Sequence, residues 1–357
     1  MPEKKIVIEK YLEDLEKRID PETEDALMEE WVEFSRGNFK GDIFEPGRRK
    51  KSPSLIPWPD ITVNRSMEDF DKMALRLLGM CSKNIENGDG ALMSVRSSYG
   101  TVIVPSLFGV ELFFMEDKLN TLPASKPVKD GKNTIKKLVA KGVPDLNGGL
   151  CSKVFEMGER FSKIFETYPK IGKSVHLYHP DFQGPLDNCE QIWGSDLFLD
   201  LLDEPCLVKD FLALLTEIYI ALMHKWIKIA PFAKDFNVHW GMLHGGSIML
   251  RIDSGMNISP EMYTEFVVPY DQKLLDTLGG GGIHFCGKGD HYIDQLSAMR
   301  GVFAVPMSQP ELNDMEKIFK YTIDKGIKLL GFPVKAAEKA LASGRDLHAN
   351  VHCSKSL

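Results

Sequence analysis

His284, Phe285 and Cys286 follow the glycine run Gly279, Gly280, Gly281 and Gly282 and lead into Gly287. On an extended segment, side chains two apart point to the same side, so an imidazole and a thiol would face one pocket. That pair suits a thiophilic metal. Zinc accepts nitrogen and sulfur in tetrahedral geometry, and a catalytic zinc keeps one position open. A third soft donor, Cys353 in Val351-His352-Cys353, lies near the end of the chain. His284, Cys286 and Cys353 together would leave the fourth position to a substrate thiol. A packed cysteine beside a hydrogen-bonded histidine would have the same H-x-C spelling. Whether the three residues meet in space decides between the two. His291 is expected on the following helix, outside the ligand set.

Other groups bring proton transfer and binding. Asp253, in Arg251-Ile252-Asp253-Ser254-Gly255, sits where a strand meets a loop and suits a proton acceptor or a turn carboxylate. Arg251 either pairs with it or meets substrate. His239 beside Trp240 fits a ligand edge or a satisfied buried imidazole. His176 and His179 flank Tyr178 ahead of Pro180-Asp181-Phe182-Gln183-Gly184-Pro185, a polar loop long enough to wall a pocket. Arg96 and Tyr99 follow the first strand and suit an anionic substrate.

The elements that must position these groups alternate. Strands are expected at Ala91 to Val95, Thr101 to Val104, Ser174 to Tyr178, Phe236 to Trp240, Ser247 to Ile252, Gly282 to Cys286, Gly301 to Val305, Ile327 to Leu330 and Leu347 to His352. Between them lie helical patterns, among them a long one from Asp200 to about Ile229 and others opened by Ser259-Pro260 and Ser308-Gln309-Pro310. Repeated strand–helix units favour an α/β fold of the (β/α)8 TIM-barrel type, with functional groups at the C-terminal strand ends. The glycine run follows a helix and precedes a strand, which is the wrong context for a phosphate loop. Residues 1–88 read as an N-terminal helical extension, with helices from Pro21 to Gly37 and Ser66 to Asn87. Residues 89–357 read as the barrel.

Composition narrows the function classes. The 357 residues carry a net charge of −7. The basic run Arg48-Arg49-Lys50-Lys51 is too short for a nucleic-acid face. No transmembrane stretch or apolar leader is expected. Six widely spaced cysteines without a C-x-x-C pair are expected to be reduced thiols, in a cytoplasmic protein.

The stretch from Asp253 to Tyr263, with Phe266 and Pro269-Tyr270 downstream, resembles the uroporphyrinogen decarboxylase superfamily. His284-Phe285-Cys286-Gly287, Gly184-Pro185, Trp193-Gly194 and Asp203-Glu204-Pro205 extend the resemblance over roughly residues 90 to 353. The early arginine-bearing segment of true uroporphyrinogen decarboxylases is missing, so porphyrinogen decarboxylation is not expected. The chain is more similar to the methylcobalamin:coenzyme M and other corrinoid-dependent methyltransferases. That branch uses H-x-C plus a distant cysteine as zinc ligands, which His284, Cys286 and Cys353 match by type and order. The resemblance implies methyl transfer from a methylated corrinoid, held by a separate corrinoid protein, to a small thiol or tetrahydrofolate-type acceptor. Zinc would serve a thiol acceptor; Asp253, His239 and Arg96 would shape the pocket or manage protons. A decarboxylase of another carboxylated substrate and a non-catalytic binding barrel remain as rivals.

Overall fold

The structure, a computed structural model, describes residues 7–354. Its strands in chain order are β1 (Ile43–Phe44), β2 (Ser94–Val95), β3 (Leu112–Phe113), β4 (Ala124–Ser125), β5 (His176–Leu177) and β6 (Phe236–His239). Then come β7 (Met242–Gly245), β8 (Ile248–Arg251), β9 (Gly281–His284), β10 (Val302–Pro306), β11 (Lys328–Phe332) and β12 (Val351–Cys353). A parallel sheet of six strands runs β1-β12-β11-β10-β9-β8. A separate parallel pair joins β2 to β5, and β3–β4 and β6–β7 are antiparallel hairpins. Helices alternate with the parallel strands, for example Pro205–Trp226 before β8, Val268–Leu278 before β9 and Val334–Ala342 before β12. None of the described helices is long and apolar enough to cross a membrane.

The glycine run explains how β9 fits between its neighbours. Gly279 and Gly280 take φ of 88° and 71°, ending the helix Val268–Leu278 in the left-handed conformation that glycine tolerates. A Cβ on Gly281 would stand 1.8 Å from the Ile248 carbonyl, and one on Gly282 2.6 Å from Met249 Cε. Strand alternation then sorts the faces. Ile283, Val305 and Leu329 join the large core with the helices, whereas Ala304 and Leu330 join a second apolar cluster on the inner face.

Among the described residues, the backbone ladder does not close. The eight parallel strands form arcs of six and two, so the α/β character and the parallel strands are as expected, whereas the closed barrel is not formed by strand pairing. Side chains span both seams. Between β1 and β2, Arg48 donates to the carbonyls of Asp89 and Ala91, and Trp31 Nε1 donates to Gly90 at 2.9 Å. Glu24 holds Arg48 at 2.7 and 2.8 Å. Between β5 and β8, the Met249 N–H donates to His179 Nε2 at 3.0 Å. Asp181 binds Arg96, just after β2, at 3.0 Å and Arg251 of β8 at 2.9 Å.

Three local expectations differ. Residues 101–104 form a turn ahead of the 3-10 helix Pro105–Phe108, because Pro105 removes a ladder donor and Gly109 reverses the chain. The N-terminal region supplies a strand, β1, as well as helices. The expected strand at Phe236 is half of a hairpin whose return strand, β7, follows Trp240-Gly241.

The Asp181→Asn variant is expected to lose about 3–5 kcal/mol of stability, because it leaves two buried guanidinium groups facing a neutral amide. A fall in urea midpoint at pH 7 checks this; an unchanged midpoint would show that the seam does not depend on the charge.

Candidate functional site

The ends of β8 and β9 bring three donors together. Asp253, His284 and Cys286 each offer a ligand atom, and these atoms lie within 4.8 Å of one another. The strand register makes this possible: Arg251 pairs with His284, so Asp253 and Cys286 follow side by side. The Cys286 N–H donates to Asp253 Oδ1 at 2.8 Å. His284 Nδ1 is 3.0 Å from the Pro306 carbonyl and donates to it, which leaves the Nε2 lone pair facing Cys286 Sγ at 3.3 Å. A metal-binding imidazole is oriented in just this way, by a carbonyl on its second nitrogen. One nitrogen, one sulfur and one oxygen donor match a three-ligand zinc site with an open position.

Cys353 does not belong to this cluster. It is buried at the end of β12 and lines a cavity of about 380 Å³ with Cys81, Tyr178, Trp240 and His352. Burial pushes its thiol up to about 12. His291 is held by the Ile258 carbonyl at 3.0 Å and is also outside the cluster.

A cleft of about 500 Å³ reaches Asp253 and is lined by Gln183, Asp187, Glu190 and Asn257. Asp187 stands out there. Its carboxylate accepts the N–H groups of Asp253 at 3.1 Å and Ser254 at 2.8 Å, and burial together with the Asp253 charge pushes it up to about 7. Asp187 is absent from the residues expected from sequence. Its signal is a carboxylate two residues after the helix-starting Pro185, where side chains reach back to the helix entrance. Burial and Asp253 likewise push Cys286 up to about 11.

The remaining expected residues divide between two networks. Arg96 and Arg251 are both engaged by Asp181; burial works against its charge, but Arg251 and Arg96 hold it below the ordinary carboxylate value. Arg251 also stacks its guanidinium 4.6 Å over the Trp240 ring. Tyr99 is buried in the large core, and burial raises its hydroxyl. His176 lines a different cavity, of about 620 Å³, and burial lowers it to about 4.

His239 and His244 are hydrogen-bonded to each other in the interior, and the His179 ring packs against His239 with centroids 4.5 Å apart. His244 Nδ1 donates to the Gly245 carbonyl at 2.7 Å, so its Nε2 must accept from His239 Nδ1, also at 2.7 Å. His239 Nε2 is therefore a buried acceptor, and it has no partner in the structure. His179 Nδ1 donates to Pro180 at 2.7 Å while Nε2 accepts from Met249. Hydrogen bonds at both nitrogens fix His179 and His244 neutral, and burial disfavours the charged form of His239.

No family model matches the sequence, and no curated protein matches it. Among solved structures, the fold is similar to that of a methyltransferase from Methanosarcina mazei. The TM-score is 0.62 at 15% identity, over 92% of each chain.

The neutral imidazoles make stability fall in mild acid. Burial lowers His179 and His352 to about 3 and His244 to about 4. Unfolding releases them to about 6.5, so below that pH the unfolded state binds more protons. Each is expected to cost about 1.4 kcal/mol per pH unit between about pH 6.5 and 4, and nothing above pH 7.5. Melting temperatures from pH 8 to 5 check this; a flat profile would mean that the folded protein accommodates the imidazolium forms.

Proposed function

We propose that this chain is a methyltransferase that passes a methyl group from a methylated corrinoid, carried on a separate protein, to a small thiol. The observation that carries the proposal is the convergence of Asp253, His284 and Cys286 donors at adjacent strand ends. The fold likeness to a methyltransferase along nearly the whole chain supports it.

In this proposal His284 Nε2, Cys286 Sγ and an Asp253 oxygen hold zinc. Zinc, when bound, lowers the pKa of a coordinated thiol and keeps it as a thiolate at neutral pH. The acceptor enters through the cleft beside Asp253, where Gln183 and Asn257 offer polar contacts. Asp187, near neutrality in its proton affinity, takes the thiol proton on a carboxylate oxygen. Sulfur then forms the new bond to the methyl carbon, and the cobalt–carbon electron pair stays on the corrinoid. Asp253 orients the Cys286 segment through its backbone N–H.

A pterin acceptor would leave the thiol-activating donors without a role, so the thiol is preferred. Decarboxylation needs arginines free to hold carboxylates, whereas Arg96 and Arg251 are both tied to Asp181. The absence of a membrane-spanning helix among the described residues is compatible with a cytoplasmic setting.

Elemental analysis tests the assignment. Purified protein is expected to hold about one zinc per chain, and Cys286→Ser and His284→Ala to lose it. Both variants are expected to lose at least about 100-fold in methyl transfer from methylcobalamin to small thiols, above the loss typical of residues that only support ligands. Full activity in metal-free protein would overturn the zinc role.

A further inference from the structure

The hairpin β6–β7 lies against the inner face of the sheet. Val238 and Leu243 pack with Ala304 of β10 and Leu330 of β11, and with Leu27, Trp31 and Phe34 of the helix Pro21–Arg36. Neighbouring positions Val305 and Leu329 belong instead to the core shared with the outer helices. The hairpin therefore occupies the space that the strands surround, and its tip arrives level with the ends of β8 and β9.

That tip is a two-residue turn. His239 pairs with Met242, and Trp240 and Gly241 take φ of 51° and 75°. Positive φ at both central residues is the geometry that favours Asn-Gly. Gly241 meets the requirement: a Cβ there would stand 2.9 Å from Ala91 Cβ and 3.0 Å from the Leu92 carbonyl. Its own carbonyl accepts the Leu92 N–H at 2.8 Å. Trp240 does not meet it, since a bulky side chain is strained in the left-handed region. A turn that only had to reverse the chain would carry a small polar residue. Strain of this kind persists where surrounding contacts hold it, and it points to a task for the side chain.

The ring's contacts identify the task. It meets the His284 imidazole edge-on, with centroids 5.2 Å apart at 66°. The Arg251 guanidinium lies 4.6 Å from its centroid. The same ring lines the cavity that holds Cys353. The hydrogen bond to Pro306 fixes one edge of His284; the indole limits how far the rest of the ring can swing.

We infer that Trp240 is a positioning residue: it holds His284 in its ligating orientation and walls the Asp253–His284–Cys286 cluster off from Cys353. The ligand set is then one nitrogen, one sulfur and one oxygen rather than two sulfurs. This inference rests on the metal site proposed above.

Cobalt(II) in the full chain provides the test, because its thiolate charge-transfer absorption counts sulfur ligands. Wild type is expected to show one thiolate's intensity, unchanged in Cys353→Ser and lost in Cys286→Ser. Trp240→Asn suits the turn but removes the ring over Arg251, so its melting temperature should stay close to wild type. Its cobalt affinity should fall about tenfold or more, the scale of lost outer-shell support. It should also gain a second thiolate's absorption that adding Cys353→Ser removes. Trp240→Phe, which keeps a ring, should recover most of the affinity.

A two-thiolate spectrum in wild type that drops in Cys353→Ser would overturn the inference while leaving the metal site standing. So would Trp240→Asn or Trp240→Phe variants that melt far below wild type, which would make Trp240 a core residue, or a Trp240→Asn variant with wild-type affinity and spectrum. No cobalt binding by wild type would remove the metal site itself, and this inference with it.

Discussion

One buried carboxylate joins the two arcs of strands. Asp181 follows β5, accepts Arg96 from beyond β2 and accepts Arg251 from β8. No backbone ladder crosses that seam among the described residues, so its geometry depends on side chains. Two guanidinium groups around one carboxylate leave a positive charge uncompensated, and Arg251 Nη2 has no partner. The Trp240 ring faces that guanidinium, so the aromatic quadrupole offsets part of the excess. Arg251 thus connects the seam to the tip of the inner hairpin, and Trp240 connects the tip to His284. Changes at Asp181 should therefore reach the donor cluster although Asp181 touches none of its members directly.

Much of this was legible in the chain because it rests on local pattern. Strand alternation at Ser247 to Ile252, the glycine run and the H-x-C spacing placed β8, β9 and the imidazole–thiol pair correctly. The helix Pro21–Arg36, capped by Gly37, matches the expected span. What was not legible depends on partners far apart in sequence. A two-residue strand such as β1 has too few residues for a period, and it exists because β12 pairs with it. The hairpin was hidden because its tip carries Trp-Gly where Asn-Gly would announce a turn. The same strained tryptophan that obscured the turn meets both His284 and Arg251.

The placement of Cys353 has the same origin. Residue type and order make it a natural third ligand, but order along a chain says nothing about which side of an aromatic ring a thiol occupies. Asp253, expected to handle protons, shape the pocket or cap a turn, stands in the cluster because the β8–β9 register sets it beside Cys286.

The proposed metal site accounts for the electrostatics of the cluster. Burial and Asp253 raise the Cys286 thiol, burial and the same carboxylate raise Asp187, and the His284 lone pair faces the sulfur. A carboxylate that opposes ionisation of the neighbouring thiol makes a poor core, since apolar packing would stabilise the strand ends more. A divalent ion reverses each of those terms at once: thiolate, carboxylate and neutral imidazole become the favoured forms. Asp187 stays one hydrogen-bonded peptide away, attached to the backbone of Asp253 rather than to the donors. Separation of the two carboxylates follows from a single loop, in which Asp253 and Ser254 give their N–H groups to Asp187 while the Asp253 side chain turns to Cys286.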